Sequence, residues 1–228
     1  MPSVKIAELA IWFPAFLISI TFHEAAHAAT SLFYGDRTAE KQASLNPIPH
    51  IQQEPVGTLV VPAISFWLWG FMFGYASAPY DPYWAARNPR RAALMSAAGP
   101  LSNLMLALLA VITLRILMGA DLAMLNPKGN TIATWMTGSS QGLALLAQFL
   151  CVSFVLNLIL GLFNLLPLPP LDGSGVVRGL FPGSAPARLL ATVEERGWSL
   201  IGLIIAWLLF PRLFPWIQSF IQWTLGAS

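Results

Sequence analysis

The sequence predicts an all-α polytopic membrane protein. About four to five helices span the bilayer, one apolar segment either crosses or re-enters it, and short extended segments lie beside a histidine motif. Three observations predict this. The chain of 228 residues is 56% hydrophobic and only 10% charged, against about 25% charged in an average soluble domain. Apolar stretches occupy 7–34, 58–78, 92–120, 141–166 and 198–225, and a helix needs about 20 such residues to cross a bilayer. Proline-rich stretches separate them, and at membrane depth irregular backbone is tolerated only where protein or a wet cavity covers it. A net charge of +2 gives no argument for nucleic acid, and the apolar surface implies membrane lipids as neighbours.

The first helix is expected over 7–34, bent by Pro14 and stopped near Gly35-Asp36. Lys5 and the apolar Leu9–Ile20 loosely imitate a secretory leader. Cleavage would destroy the motif described below, and Glu8 spoils the basic flank, so the segment is read as retained. Residues 35–57 read as loop. Two prolines two apart in Asn46-Pro47-Ile48-Pro49-His50 argue against regular helix and for loop or extended strand.

The segment 58–78 is rich in Trp and Phe and dissolves into Ala78-Pro79-Tyr80-Asp81-Pro82. The span 92–120 opens with Ala98-Gly99-Pro100-Leu101-Ser102-Asn103, where Gly and Pro permit close backbone approach and a kink. A polar connection over 121–138 leads into the span 141–166, which carries Asn157, Asn164 and the single cysteine, Cys151, read as a small buried hydrophobe. Pro167-Leu168-Pro169-Pro170-Leu171-Asp172-Gly173 cannot be regular helix, and a Pro-rich, mixed-charge loop is expected over 167–197. Pro211 and Pro215 interrupt 198–225, so its second half is expected at the interface. Trp67, Trp69, Trp207 and Trp216 read as interfacial anchors or lipid-facing side chains. The whole of 1–228 reads as one domain.

Lys and Arg placement sets the orientation. With all five segments crossing, the two sides carry seven and five basic residues; with 58–78 re-entering, eight and four. The stronger bias favours re-entry. It puts the end of the first helix, the Gly99-Pro100 pair and Asp172 at one face, cytoplasmic in a cell membrane.

The chemistry centres on His23-Glu24-Ala25-Ala26-His27. Residues four apart share a helix face, so His23 and His27 can hold one metal with Glu24 beside it. Two imidazoles leave room on Zn²⁺ for a third ligand and a water, whose proton a neighbouring carboxylate can take. With three His and six Glu in the chain, chance produces the pattern only about once in 1000 such sequences. A charge at mid-bilayer costs at least about 2.5–3.5 kcal/mol, which makes an intramembrane Glu24 a functional residue by default. For the third ligand the candidates are His50, Asp36, Asp81 and Asp172. Asp172 is best placed, directly after the broken end of a span, although Asp-Gly is also a common turn pair.

His23–His27 on the first span, with Asn164-Leu165-Leu166-Pro167-Leu168-Pro169-Pro170-Leu171-Asp172-Gly173 at the end of a later one, resembles the site-2 protease family of intramembrane zinc metalloproteases. Ala98–Asn103 and the run Asn46-Pro47 to His50 and Gly57 are similar to accessory motifs of its small bacterial members. The resemblance covers roughly residues 8–180. It implies one zinc ion held by His23, His27 and Asp172, with Glu24 activating the water and Asn164 beside the site as a substrate contact. His50 is a weaker substrate-binding candidate; as a loop histidine it is more readily explained by a backbone hydrogen bond. The chain departs from many relatives in lacking PDZ and CBS modules, which bears on how substrates are chosen.

The resemblance further implies an endopeptidase that cuts transmembrane segments of protein substrates. Extended stretches near the active site, Asn46–His50 and Pro167–Leu171, are the candidates to pair with an unwound substrate backbone. Two rival functions use the same ligands: a divalent-metal transporter and a catalytically inactive membrane scaffold. A transporter would be expected to show repeated halves, and none is visible.

Overall fold

A computed structural model describes residues 2–226, with side chains from residue 6 onward. The side chain of Lys5, counted among the basic residues above, lies outside the described residues. The helices are α1 (Pro2–Phe33), α2 (Pro47–Gln53), α3 (Val61–Trp69), α4 (Pro82–Arg87), α5 (Pro89–Gly119), α6 (Gln141–Asn164), α7 (Asp172–Leu180), α8 (Ala185–Glu195) and α9 (Ser199–Leu225). Among the described residues α1, α5, α6 and α9 are long and apolar enough to cross a membrane. The protein is an all-α polytopic membrane protein.

The helix α6 is central. Its Cys151, Phe154 and Val155 pack with α5 (Ala107, Leu114) and α9 (Ile217, Ile221) in one cluster. Its Val152 and Leu156 pack with α1 (Trp12, Phe16, Ile20) and Phe66 of α3 in another. Gly161 lets α5 approach closely, since a Cβ there would meet Leu104 at 2.8 Å. Small residues are what allow such contacts in lipid, where apolar association gains little. The helix α9 is the least covered span, with 17% of its apolar window buried.

Several elements differ from expectation, each for a physical reason. The stretch 47–53 is helix, not loop or strand. Asn46 caps it by accepting the Ile48 N–H at 3.0 Å. Pro47 and Pro49 fall within the first turn, where N–H groups have no intrahelical partner to lose. The loop expected over 167–197 contains α7 and α8, the latter capped by Ser184 with Pro186 in its first turn. The helix α9 runs unbroken through Pro211 and Pro215; a helix in lipid tolerates the lost donors because abandoning it would orphan many more. The Gly99-Pro100 pair lies inside α5, which begins ten residues earlier at Pro89.

The connection 121–138 carries a two-stranded antiparallel ribbon, β1 (Ala123–Leu125) with β2 (Met136–Gly138), in the register Ala123↔Gly138. Glu8 is tied to this connection, accepting from the Thr131 hydroxyl at 3.0 Å. The ribbon thus sits at the opposite end of α1 from the histidines.

The apolar segment beginning near residue 58 is too short to cross. A π-turn (Val56–Val60) leads into α3, and together they make 14 apolar helical residues, about 21 Å of rise against a hydrocarbon core of about 30 Å. The chain then returns without regular structure over 72–81. Phe71 meets the Trp12 ring at 5.0 Å, the Tyr75 N–H donates to Gly57 O at 3.1 Å, and the Asp81 N–H donates to Asp36 at 2.9 Å. Ten residues thus run from the level of Trp12 to the end of α1. That requires nearly full extension, about 33 Å.

Candidate metal centre

His23 and His27 lie one turn apart on α1 and point the same way, their Nε2 atoms 3.0 Å apart. Asp172 opens α7 and reaches both: Oδ2 stands 3.1 Å from His23 Nε2 and Oδ1 3.3 Å from His27 Nε2. These three form the one group of His, Cys, Asp and Glu suited to a metal among the described residues.

Glycines build the meeting. Gly173 turns its bare face to the Leu165 carbonyl, 2.2 Å from where a Cβ would sit. That folds the Pro-rich turn back on the end of α6. Gly175 and Gly179, one helical turn apart, seat α7 on α5 against Ser96 and the Pro89 carbonyl. The Leu171 N–H donates to Leu168 O and the Leu168 N–H to Leu166 O, both at 2.8 Å, which fixes the non-helical turn. On α5, a Cβ at Gly99 would stand 2.2 Å from His27 Nε2 and 2.7 Å from His23 Nε2, so the ring nitrogens occupy space that any other residue would claim.

The hydrogen bonds behind the rings settle their tautomers. His27 Nδ1 lies 2.7 Å from the Met95 carbonyl, which only accepts, so Nδ1 carries the proton and Nε2 presents a lone pair. His23 Nδ1 lies 2.6 Å from Asn103 Oδ1 with the same result. Two imidazole nitrogens whose Nδ1 sides are already engaged and a carboxylate therefore converge, the donor set of a bound cation. Their mutual separations of 3.0, 3.1 and 3.3 Å approach the edge of about 3.3–3.4 Å that a tetrahedron of 2.0–2.1 Å bonds to zinc would have. The residues present fit zinc.

Glu24 is buried, at 4% exposure, beside the pair. Asn164 ends α6 with its side-chain amide donating to Leu160 O at 3.0 Å. His50 is buried, its Nε2 3.2 Å from the Ser44 carbonyl, and is not one of the three converging residues. The other two ligand candidates are engaged elsewhere. Asp36 accepts from Thr38 and from the Asp81 N–H, and Asp81 caps α4 through the Tyr83 N–H. Of the two stretches expected to be extended near the site, Asn46–His50 is capped helix and Pro167–Leu171 a tight turn; the extended backbone is 72–81. Asn103 and Met95, which hold the rings from behind, were not singled out for that role by sequence. An amide in the middle of an apolar span is the signal that marks Asn103. Beside the centre, Met95, Ser96, Gly175, Arg178, Glu194 and Tyr80 help line a groove of about 620 Å³.

The sequence profile of peptidase family M50 matches residues 11–209. The chain belongs to peptidase family M50. This M50 chain is 37% identical over 176 residues to the Bacillus subtilis protein named "Putative zinc metalloprotease YwhC", covering 76% of this chain and 70% of that one. It is 27% identical over 212 residues to the Mycolicibacterium smegmatis protein named "Putative zinc metalloprotease Rip2", covering 93% and 71% of the two chains. The Mycobacterium tuberculosis H37Rv protein of that name is 29% identical over the same length. No solved structure matches the M50 chain significantly. The M50 protein is a zinc metalloendopeptidase, and its substrates are proteins.

Proposed function

We propose that this protein is an intramembrane endopeptidase, a single domain over 1–228 that cleaves transmembrane segments of membrane proteins in a bacterial cell membrane. The reading rests on the convergence of His23, His27 and Asp172 at 3.0–3.3 Å on helices otherwise built for lipid. His23, His27 and Asp172 are the zinc ligands in this proposal. When bound there, zinc supplies an acidified water and polarisation of the scissile carbonyl.

Glu24, buried beside the histidine pair, takes the proton of the attacking water and hands it to the leaving amine. Asn164 and His50 belong to the substrate side of the site. Asn164 stands on the turn whose Leu165 carbonyl packs on Gly173, beside Asp172. By releasing the Leu160 carbonyl its amide donates to the developing oxyanion, a contact of the kind worth about 3–4 kcal/mol.

A substrate helix must unwind before attack, exposing backbone donors and acceptors. The extended segment 72–81 can replace those hydrogen bonds as an added strand. Gly74 packs on Phe16, which is seven residues before His23 and so lies in the same stripe of α1. In this reading 56–81 is a re-entrant loop. That joins Arg37 and Lys41 to the basic residues around α4, α7 and α8 and makes the metal-centre face cytoplasmic. The groove beside Met95 and Gly175 gives water and the soluble product a path on that face.

The deciding experiment uses the purified chain, its zinc content and a transmembrane peptide, with Glu24→Gln as control. The protease reading requires about one zinc per chain in both forms and cleavage only in the parent. Equal cleavage in E24Q, or metal transport into vesicles without cleavage, sinks it.

A further inference from the structure

We infer that Asn103 and Asn157 form a buried amide relay across three spanning helices whose task is to orient His23 for the metal, which makes both positioning residues. This rests on the metal-centre reading above and extends it to residues outside the ligand set. Asn103 on α5 is fully buried and Asn157 on α6 is 2% exposed. The Asn157 amide donates to the Ser153 carbonyl on its own helix at 2.8 Å. Its Oδ1 accepts from Asn103 Nδ2 at 2.8 Å, and the same Nδ2 donates to the Ser19 carbonyl of α1 at 3.2 Å. Asn103 Oδ1 is then left facing His23 Nδ1 at 2.6 Å.

The direction of the relay follows from its ends. Main-chain carbonyls only accept, so Ser153 requires the nitrogen of Asn157 on its side and Ser19 requires the nitrogen of Asn103 on its side. Both Nδ2 hydrogens of Asn103 are used, which leaves an oxygen as the only atom able to meet His23. His23 must therefore donate from Nδ1, and Nε2 is left bare toward His27 and Asp172. Reversing either amide would oppose nitrogen to nitrogen and close oxygen on oxygen. Asn157 thus dictates which face Asn103 presents, and Asn103 dictates which nitrogen of His23 is free. His27 has no such relay; a main-chain carbonyl, that of Met95, does the same work directly.

Partners that hold the second nitrogen of a metal-binding histidine change metal affinity or activity by about 10–100-fold when removed. The test measures zinc affinity of the full chain in detergent, by competition with a chromophoric chelator. It adds the visible spectrum of the Co²⁺-loaded form and thermal melting of the metal-free form by tryptophan fluorescence. Asn103→Leu should weaken zinc by about 10–100-fold and alter the Co²⁺ bands, because His23 Nδ1 loses its acceptor. Asn157→Leu, which frees the Asn103 amide to turn, should lose less than that, and Asn157→Asp, which keeps the oxygen that accepts from Asn103, should stay within about threefold of the parent. If N103L does not fold, Asn103→Ser, which withdraws the oxygen from His23, must show the same loss.

The inference is overturned if N103L or N103S binds zinc as tightly as the parent, or if N157D loses as much affinity as N157L. A purely structural role is recognised by metal-free melting that falls in N103L and N157L alike while zinc affinity holds, and that result also overturns it. A parent chain that takes up no zinc would instead overturn the metal centre itself, a failure distinct from that of the relay.

Discussion

A Cβ placed on Gly99 would stand 2.2 Å from Nε2 of His27. Real Cβ atoms do not approach so closely, and a ring anchored from behind by the Met95 carbonyl at 2.7 Å has little room to retreat. Gly99→Ala should therefore push the imidazole off the metal position while raising helix propensity by about 1 kcal/mol. Purified G99A should hold well under one zinc per chain and cleave about 100-fold slower or worse, with circular dichroism unchanged. Full zinc content in G99A would contradict the packing described.

The ligand set also predicts which ions restore activity. Two imidazoles and one carboxylate favour zinc or its transition-metal neighbours over hard cations. Activity removed by a strong chelator should return with Zn²⁺ and Co²⁺ and not with Mg²⁺. The assay is cleavage of the transmembrane peptide after dialysis against each ion.

The re-entrant loop offers a separable defect. A Cβ on Gly57 would meet the Tyr75 carbonyl at 2.1 Å, a clash between backbones that no rotamer relieves. Gly57→Ala should displace the extended segment while leaving the metal centre intact. Zinc content should stay at the parent level while the apparent KM for a transmembrane substrate rises by about tenfold, the cost of losing one to two backbone hydrogen bonds. Loss of zinc in G57A would show the loop to be part of the metal scaffold instead.

Asp36 supplies a pH dependence at the junction where the loop rejoins α1. Burial disfavours its charge, but hydrogen bonds from the Thr38 hydroxyl and from the Asp81 and Thr38 N–H groups outweigh that and hold its carboxyl below the ordinary value. A depressed acid is charged in the folded state where it would begin to protonate in the unfolded one. Its stabilisation is therefore full above about pH 4 and is lost as pH falls through the folded value. Asp36→Asn should lower Tm by several degrees at neutral pH, as expected for a hydrogen bond to charge of about 1.5–3 kcal/mol. The gap between parent and D36N should close toward pH 3 in thermal melts. A gap that widens on acidification would reverse the sign of the argument for Asp36.

The spans and the histidine pair were legible in the sequence because each is written in one dimension, as apolar length and a four-residue spacing; that Asp172 meets the pair followed from the resemblance to the site-2 protease motifs, since spacing alone left four candidates. What was illegible is tertiary. The prolines at 47 and 49 look like helix breakers until Asn46 is known to cap the turn, after which their missing N–H groups cost nothing. Asn103 and Asn157 are 54 positions apart and each resembles any polar residue in a span; only their 2.8 Å contact shows that they face one another. Gly175 and Gly179 look like weak points in a loop, yet their bareness seats α7 on α5 and so delivers Asp172. The extended stretch 72–81 carries no strand pattern, and it pairs with no strand: the Tyr75 N–H donates to Gly57 O and the Asp81 N–H to the Asp36 carboxylate.

Asp172 follows His27 by about 145 positions, and this has a consequence for the newborn chain. A ribosome adding roughly 5–20 residues each second delivers the aspartate some seven to thirty seconds after the second histidine. During that interval the emerging N-terminal segment owns only half a metal cage and grips ions weakly. The metal cage is thus open while α5 and α6 are being made, and it closes only once the turn carrying Asp172 has emerged.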